Sequence, residues 1–347
     1  MNTETPKLTS LAHGGGCGCK IAPGVLSELL SDLPAAAPFK DLLVGTETAD
    51  DAAVYRLNDD QALIATTDFF MPVVDDPYDF GRIAATNALS DVYAMGGSPI
   101  LALAIVGMPI NVLPAGVIRE ILRGGRDVCQ AAGIPVAGGH SIDSVEPIYG
   151  LVALGLAHPN DIKRNADAQP GDVLILGKPL GVGVYSAALK KGQLNEQGYK
   201  AMIESTTQLN RAGSELAKIA GVHALTDVTG FGLLGHAHEM ARAAKLLIEI
   251  KSSDVPLLPD VLTLAQAGHI TGASKRNWAS YGSAMQGLVQ DDVLLRDLLS
   301  DPQTSGGLLV ACAPSAVDRV LESFKRHGGK PAIIGQVQSG QGNVRVI

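Results

Sequence analysis

An α/β (α+β) chain built as two domains in series is predicted from three observations. Strand-like runs alternate with helix-length segments along the whole sequence, which favours mixed sheets with helices over a helical bundle. A polar stretch at 158–167 separates two such alternating halves. And 347 residues are more than one hydrophobic core usually serves. The 46% hydrophobic and 18% charged content is that of a globular chain, and with aromatics at only 4% the cores must be packed largely with Ala, Val, Ile and Leu.

The elements follow in order. Residues 1–20 end in His13-Gly-Gly-Gly-Cys17-Gly-Cys19-Lys20, too glycine-rich to hold regular structure, and form a flexible arm. Leu26, Leu29, Leu30 and Leu33 keep the i, i+3, i+4, i+7 spacing of a short amphipathic helix. Strands are expected at 50–57 and 61–67, joined at Asn58-Asp59-Asp60. With Asn58 paired to Gln61, that register sets Asp51 opposite Asp68, a like-charge pair that invites a cation. A small-residue helix over 81–95 stops at Gly96-Gly97 and puts Asn87 and Asp91 on one face. Strands at 100–106 and 147–156 flank a helix near 115–132, and Pro135-Val-Ala leads into a turn at Gly138-Gly-His-Ser141.

The first domain thus spans 21–157 and the second 170–347, with the boundary before the apolar run Val173-Leu-Ile-Leu176. In the second, helices are expected near 205–220 and 233–244, and a strand ends at Asp227. Late strands fall near 307–312, 331–337 and 344–347.

Composition narrows function. Twenty-seven basic against 35 acidic residues give a net charge of −8 without a Lys/Arg cluster, which argues against nucleic acid. An acidic protein that handled a polyanion would need divalent cations to screen the repulsion. Residues 1–10 carry no secretory signal, and the best apolar run, 99–110, is too short to span a bilayer. Four cysteines make no disulfide framework, so the cytoplasm is the expected compartment.

Four aspartates lie among small or apolar neighbours: Asp51, Asp68, Asp91 and Asp227. A buried carboxylate must cap an element, pair with a base or bind a metal. Four at element ends make a shared Mg²⁺ cluster facing phosphates a reasonable reading. The arm is no P-loop, because Cys19 separates Gly18 from Lys20 and Ile21 follows. Cys17-Gly-Cys19 beside Lys20 reads as a reactive thiol whose pKa the ammonium lowers, or as half of a soft-metal site short of the four ligands zinc wants. Cys129 and Cys312 read as core. Among the histidines, His140 after its glycine pair has a better claim to chemistry than His236 or His238. Asp301-Pro-Gln-Thr-Ser-Gly-Gly307 reads only as a turn feeding a strand.

Several stretches together resemble the selenophosphate synthetase (selenide, water dikinase) family along nearly the whole chain. They are His13-Gly-Gly-Gly-Cys-Gly-Cys-Lys20, 43–55, Thr66-Thr-Asp-Phe-Phe-Met-Pro72, 82–88, Ser90-Asp-Val-Tyr-Ala-Met-Gly-Gly97, Ala137-Gly-Gly-His-Ser-Ile-Asp143, 226–236 and 301–308. The aspartate segments alone would also fit aminoimidazole-ribotide synthetase and thiamine-monophosphate kinase, and the cysteine–lysine arm narrows the match.

The resemblance implies the two-domain aminoimidazole-ribotide synthetase-like fold and a homodimer with ATP near the subunit interface. It implies that Cys17 and Lys20 are catalytic and that Asp51, Asp91 and Asp227 bind Mg²⁺. Lys20, Thr48, Ala49, Asp50, Asp68, Asp91, Gly139, His140 and Ser141 are implied to meet ATP, the last three from the partner subunit. Mg²⁺ is the implied cofactor, a monovalent cation a further candidate, and ATP and selenide the substrates. The reaction implied is ATP plus selenide plus water giving selenophosphate, AMP and phosphate, which supplies activated selenium for selenoproteins and selenonucleosides. A selenium- or metal-binding carrier without turnover, or another kinase or ligase of the superfamily, are the competing readings.

Overall fold

A computed structural model describes residues 6–31, 39–46, 48–288 and 292–347. The first half begins with two 3-10 turns, Leu8–Leu11 and Gly16–Cys19, and helix α1 (Pro23–Ser31). The arm therefore holds some regular structure despite its glycines, a correction to the sequence reading. Leu33 of the expected apolar stripe lies outside the described residues. Strands β1 (Leu42–Val44), β2 (Ala53–Arg56) and β3 (Ala62–Phe70) come next, then helix α2 (Pro77–Ala94). They are followed by β4 (Ser98–Met108), helix α3 (Ala115–Ala132), β5 (Val136–Asp143) and β6 (Ile148–Ala157). Six strands pair in the order β1-β2-β3-β6-β4-β5, with only β4 and β5 parallel.

Two local expectations are overturned here. The β2–β3 ladder pairs Arg56 with Ala62 and ends at Ala53 with Ala65, one residue off the expected register. The Asn58 side chain accepts from the Asp60 amide at 3.0 Å, and the amides of Leu57 and Asn58 both donate to the Gln61 carbonyl. That Asx turn lengthens the loop, so pairing starts earlier on β2 and Asp51 does not face Asp68 across a ladder. Residues 138–141 are not a turn either. They run inside edge strand β5, where Gly138 and Gly139 hold φ of 146° and 153°.

Helix α2 is the central packing element of the molecule. Asp76 caps it by accepting from the Asp79 amide at 2.8 Å, Pro77 starts it, and Gly96 at φ 82° ends it. Every residue from Phe80 to Ala94 except Arg82 is buried, because the helix lies between the first sheet, α3 and the second domain. Its small residues make that possible. A Cβ on Gly81 would sit 2.0 Å from the Ile121 carbonyl oxygen of α3, and one on Gly124 2.1 Å from the Tyr78 oxygen.

The second half carries β7 (Val173–Leu176), helices α4 (Val182–Lys190), α5 (Glu196–Thr206) and α6 (Ala212–Leu216), β8 (Val222–Asp227), helix α7 (Gly232–Ala244) and β9 (Leu246–Ile250). After β10 (Met285–Gln286), strands β11 (Leu308–Cys312), β12 (Ala332–Ser339) and β13 (Asn343–Val346) complete a seven-stranded mixed sheet, ordered β10-β13-β9-β12-β7-β11-β8. The single helix expected near 205–220 is instead the end of α5 and the short α6, with 207–211 between them outside either helix. Further helices span Val261–Gln266, Gly272–Tyr281, Val293–Leu299 and Val317–Arg326.

The halves share an apolar interior. Tyr93 and Ile83 of the first domain belong to one buried cluster with Val184, Tyr185 and Met202 of the second, and Ala94 packs with Ala212 and Leu216. Among the described residues no helix is long and apolar enough to cross a membrane.

Candidate active site

The carboxylates arrive on different elements and meet at the seam between the domains. Alternation along β3 turns Ala62, Ile64 and Phe70 inward, and Asp68 with them, 7% exposed beneath α2. The 3.6-residue repeat of α2 brings Asn87 and Asp91 to that same side. The Asn87 amide nitrogen donates to Asp68 Oδ2 at 2.5 Å, and Thr66 Oγ1 donates to Asp91 Oδ2 at 2.5 Å. Asp51 leads into β2 and accepts from Thr226 Oγ1 at 2.9 Å, a bond across the domain seam. Asp227 ends β8 and accepts from the Ser90 hydroxyl of α2, which itself accepts from the Asn210 amide at 2.7 Å.

Burial and neighbouring carboxylates push Asp51, Asp91 and Asp227 up. Asp51 rises well above the carboxylate range through burial first, then Asp227 and Asp91. Asp91 rises through burial, then Asp227 and Asp68. Burial also lifts Asp227, against the opposing pull of Ser90, His236 and Lys20. Such a cluster wants a cation.

The arm closes over this floor. Cys17 is 1% exposed, its amide donates to Thr304 Oγ1 at 3.0 Å, and its thiol donates to Asn87 Oδ1 at 3.1 Å. Gly16 must be glycine, since φ is 54° and a Cβ would fall 2.3 Å from Thr304 Oγ1. The Lys20 ammonium lies 3.6 Å from Asp68 Oδ2 on a side chain that is 38% exposed. Burial pulls that ammonium down, but Asp68, then Cys17, Asp91 and Asp227, outweigh it and hold it well above the usual lysine range. The expectation that Lys20 lowers the Cys17 thiol is reversed. Burial first and Asp68 second raise the thiol well above its ordinary value, and Lys20 opposes them only in part. Cys129 and Cys312 are core, pushed up by burial to about 11 and about 12.

The other expected residues are distributed less compactly. The Thr48–Asp50 turn ties the first domain to the linker. Asp50 accepts from Thr48 Oγ1 and, at 2.7 Å, from the Asn165 amide, while the Asn165 side chain donates to the Ala49 carbonyl at 3.1 Å. Ala49 sits at φ 52° and lines a cavity of about 490 Å³ with Phe231, His238 and Tyr281. Gly139, His140 and Ser141 do not join the carboxylates within this chain. Gly139 aligns with Ala104, Ala104 with Leu151 and Leu151 with Asp68, three strand spacings or about 14 Å apart. All three are exposed on the sheet edge.

His236, ranked below His140 from sequence, is the histidine at the site. It is 5% exposed, stacks on Phe231 at 5.5 Å and lies 3.3 Å from Thr229 Oγ1. Its Nδ1 is 3.0 Å from Glu239, within ion-pair range. The 301–306 segment is the larger miss. Asp301, Gln303, Thr304 and Ser305 are all buried, and the turn seats the arm through Thr304 and Asn87 through the Ser305 amide at 2.7 Å. Its clustered polar residues between two glycines and a proline were the signal available.

Among the described residues no three acidic, histidine or cysteine side chains converge closely enough to cage a metal ion unaided. Yet Asp51 Oδ2 is buried without a partner, and three raised carboxylates face one another across the seam. That donor set fits a hard divalent cation completing its shell with water and phosphate oxygens.

The profile of AIR synthase related protein, N-terminal domain, matches residues 49–157, and that of its C-terminal domain matches 169–347. The chain is 64% identical over 346 residues to a selenide, water dikinase of Paraburkholderia xenovorans, covering 99% of this chain and 98% of that one. It is 59% identical to one of Rhizobium meliloti over the whole of both chains. Thiamine-monophosphate kinase of Stenotrophomonas maltophilia shares the fold, with TM-score 0.65 at 21% identity over 88% of this chain and 91% of that one. A hydrogenase maturation protein HypE solved with ATP does so too, with TM-score 0.62 at 19% identity over 98% and 94%. With both halves matched and near full-length identity of this order, the chain belongs to the selenide, water dikinase family within the AIR synthase related proteins.

Proposed function

We propose that this protein is a selenide, water dikinase, converting ATP, selenide and water to selenophosphate, AMP and phosphate. The observation that carries the reading is the arm, which holds Cys17 and Lys20 against a floor of four aspartates. Asp51, Asp91 and Asp227 are the residues to hold Mg²⁺, which when bound neutralises phosphate charge and orients the polyphosphate. Lys20, partly exposed and strongly basic, meets the phosphates. Hydroselenide is already a strong nucleophile, so the protein supplies position more than activation. The selenium–phosphorus bond forms as one phosphorus–oxygen bond of ATP breaks, and water cleaves a second phosphoanhydride to leave AMP and phosphate, while the closed arm limits access of bulk solvent.

The Thr48–Asp50 turn beside its cavity supports a nucleotide contact there. The exposed 139–141 edge suits a contact with ATP bound by a second copy of the chain. Four free thiols suit a reducing compartment such as the cytoplasm.

Anaerobic incubation with Mg²⁺, ATP and selenide, followed by phosphorus NMR, tests the reading. AMP and a selenium-bound phosphorus signal are expected, and their absence overturns it. Cys17→Ser should bind Mg-ATP and make no selenophosphate, Cys19→Ser should be mild, and Lys20→Ala should damage both steps. Equal loss from either cysteine without ATP binding would mark a chelating carrier instead.

A further inference from the structure

Lys178 is a buried cation for which neither composition nor spacing gave a role. It follows β7 in Gly177-Lys178-Pro179 and is 3% exposed. Among the described residues no carboxylate lies within ion-pairing distance of it. Its ammonium donates instead to two main-chain carbonyls, Gln208 at 2.7 Å and Ser305 at 2.8 Å. An unpaired buried lysine is costly, so a structure that keeps one is using its hydrogen bonds. A hydrophobic side chain would fill the space more cheaply.

What it holds is the seat of the arm. Ser305 stands at φ 52°, a left-handed backbone that a serine adopts only when its surroundings impose it. Its amide donates to Asn87 Oδ1 at 2.7 Å, and the Cys17 thiol donates to that same oxygen at 3.1 Å. One residue back, Thr304 Oγ1 receives the Cys17 amide. One residue on, the Gly306 carbonyl accepts from Asn210 at 2.8 Å, and Asn210 also holds Ser90 against Asp227. The backbone of Gly307 approaches Lys178 so closely that a Cβ would fall 2.3 Å from the Lys178 backbone nitrogen. Lys178 thus sits behind a turn whose other side touches both the thiol and the carboxylate ends of the site.

The geometry points to Lys178 as a positioning residue: by anchoring the Ser305 carbonyl it fixes the 303–306 turn, and through Asn87 and Thr304 it aims the Cys17 thiol at the carboxylate floor. The inference deepens the proposed function and rests on Cys17 being its reactive thiol. Burial lowers the ammonium to about 7 against the pull of Asp227, and even the neutral amine keeps the two protons it needs to bond both carbonyls.

Lys178→Met removes both donors at nearly constant volume, and Lys178→Gln retains a donor group on a shorter chain. Alkylation of Cys17, followed by peptide mass mapping and scaled to the fully denatured protein, reads the seat without using turnover. Lys178→Met should alkylate at Cys17 about tenfold faster than the parent, the scale of one lost charge-assisted bond. Selenophosphate kcat should fall by about tenfold or more while KM for Mg-ATP stays within about threefold, since the carboxylates and Lys20 are untouched. Lys178→Gln should recover part of both changes. Hydrogen exchange should rise at 302–307 and 14–20 and remain parental in β9 and β12.

Parental Cys17 alkylation in a folded Lys178→Met protein overturns the inference. So does a loss of protection spread evenly over the second domain, or failure of both variants to fold, because Lys178 would then serve the fold and not the thiol. If the parent itself makes no selenophosphate, the functional reading fails, and the alkylation and exchange results still decide the role of Lys178.

Discussion

Asp51, Asp91 and Asp227 are raised by burial and by neighbouring carboxylates, and the sign of that shift fixes a stability prediction. A carboxylate with a raised folded pKa holds its proton longer folded than unfolded. Its contribution is most favourable below the unfolded value near ~3.9 and is lost as pH rises through the raised one. Without Mg²⁺, the melting temperature should therefore fall as pH rises above the usual carboxylate range. Asp51→Asn should flatten that slope and raise the Mg²⁺-free melting temperature at the alkaline end by a few degrees, while lowering selenophosphate turnover by about a hundredfold or more. Millimolar Mg²⁺ should stabilise the parent and leave Asp51→Asn nearly unmoved. A Mg²⁺ shift of parental size in the variant would remove Asp51 from the metal set. At this scale the sequence identified the four aspartates and the Cys17–Lys20 pair from residue type and apolar surroundings. It missed Lys178, His236 and the 301–306 turn, whose roles come from neighbours more than a hundred positions away or from burial that local pattern does not reveal. Lys20 lowering the thiol was a sound pairwise argument beaten by burial.

Helices α2 and α3 test how much of the fold rests on small residues. Gly81 faces the Ile121 carbonyl, where a Cβ would come within 2.0 Å of backbone oxygen, whereas Gly116 in the first turn of α3 has nothing within 4 Å. Alanine brings a helix-propensity gain at both positions, about 1 kcal/mol inside α2 and less in the first turn of α3. At Gly81 overpacking against backbone costs about 1–3 kcal/mol and should win. Gly81→Ala should therefore lower the urea midpoint and Gly116→Ala should raise it slightly, with unchanged m-values. Two midpoints moving the same way would mean α2 can slide away from α3. Periodicity revealed α2, α3, α7 and the late strands to within a few residues, because caps, glycines and prolines marked their ends. The β2–β3 register escaped by one residue, since an Asx side chain set the loop length. The 205–220 helix broke where Arg82 Nη2 donates to Thr207 Oγ1 at 3.1 Å and Asn210 turns to the site, tertiary demands that propensity does not contain.

Among the described residues, one face of the first sheet is left bare. Tyr55, Phe69 and Ile100 are 46%, 48% and 39% exposed, and Ile142 on edge strand β5 is 57% exposed. The helices α2 and α3 cover only the opposite face, and edge strand β5 carries unpaired backbone groups. Apolar side chains spread over strands from one side of a sheet to the other are more than scattered surface residues, and a large patch of that kind marks an interaction surface. A second copy is the occupant that also answers the 139–141 problem. Those residues sit about 14 Å from Asp68 within one chain, at the edge of the sheet away from that chain's own carboxylates. Pairing two sheets through this face would bring the 139–141 edge of one subunit toward the site of the other. Sedimentation should therefore give a dimer, and Ile142→Glu should weaken it by about tenfold or more, since a buried charge at an apolar interface costs well over 1 kcal/mol. The monomeric fraction should keep its fold and its Mg²⁺ response, because the carboxylate floor belongs to one chain, but lose ATP affinity in step with dissociation. A monomer with undiminished ATP affinity would return the nucleotide to a single subunit and leave the bare sheet face to some other partner.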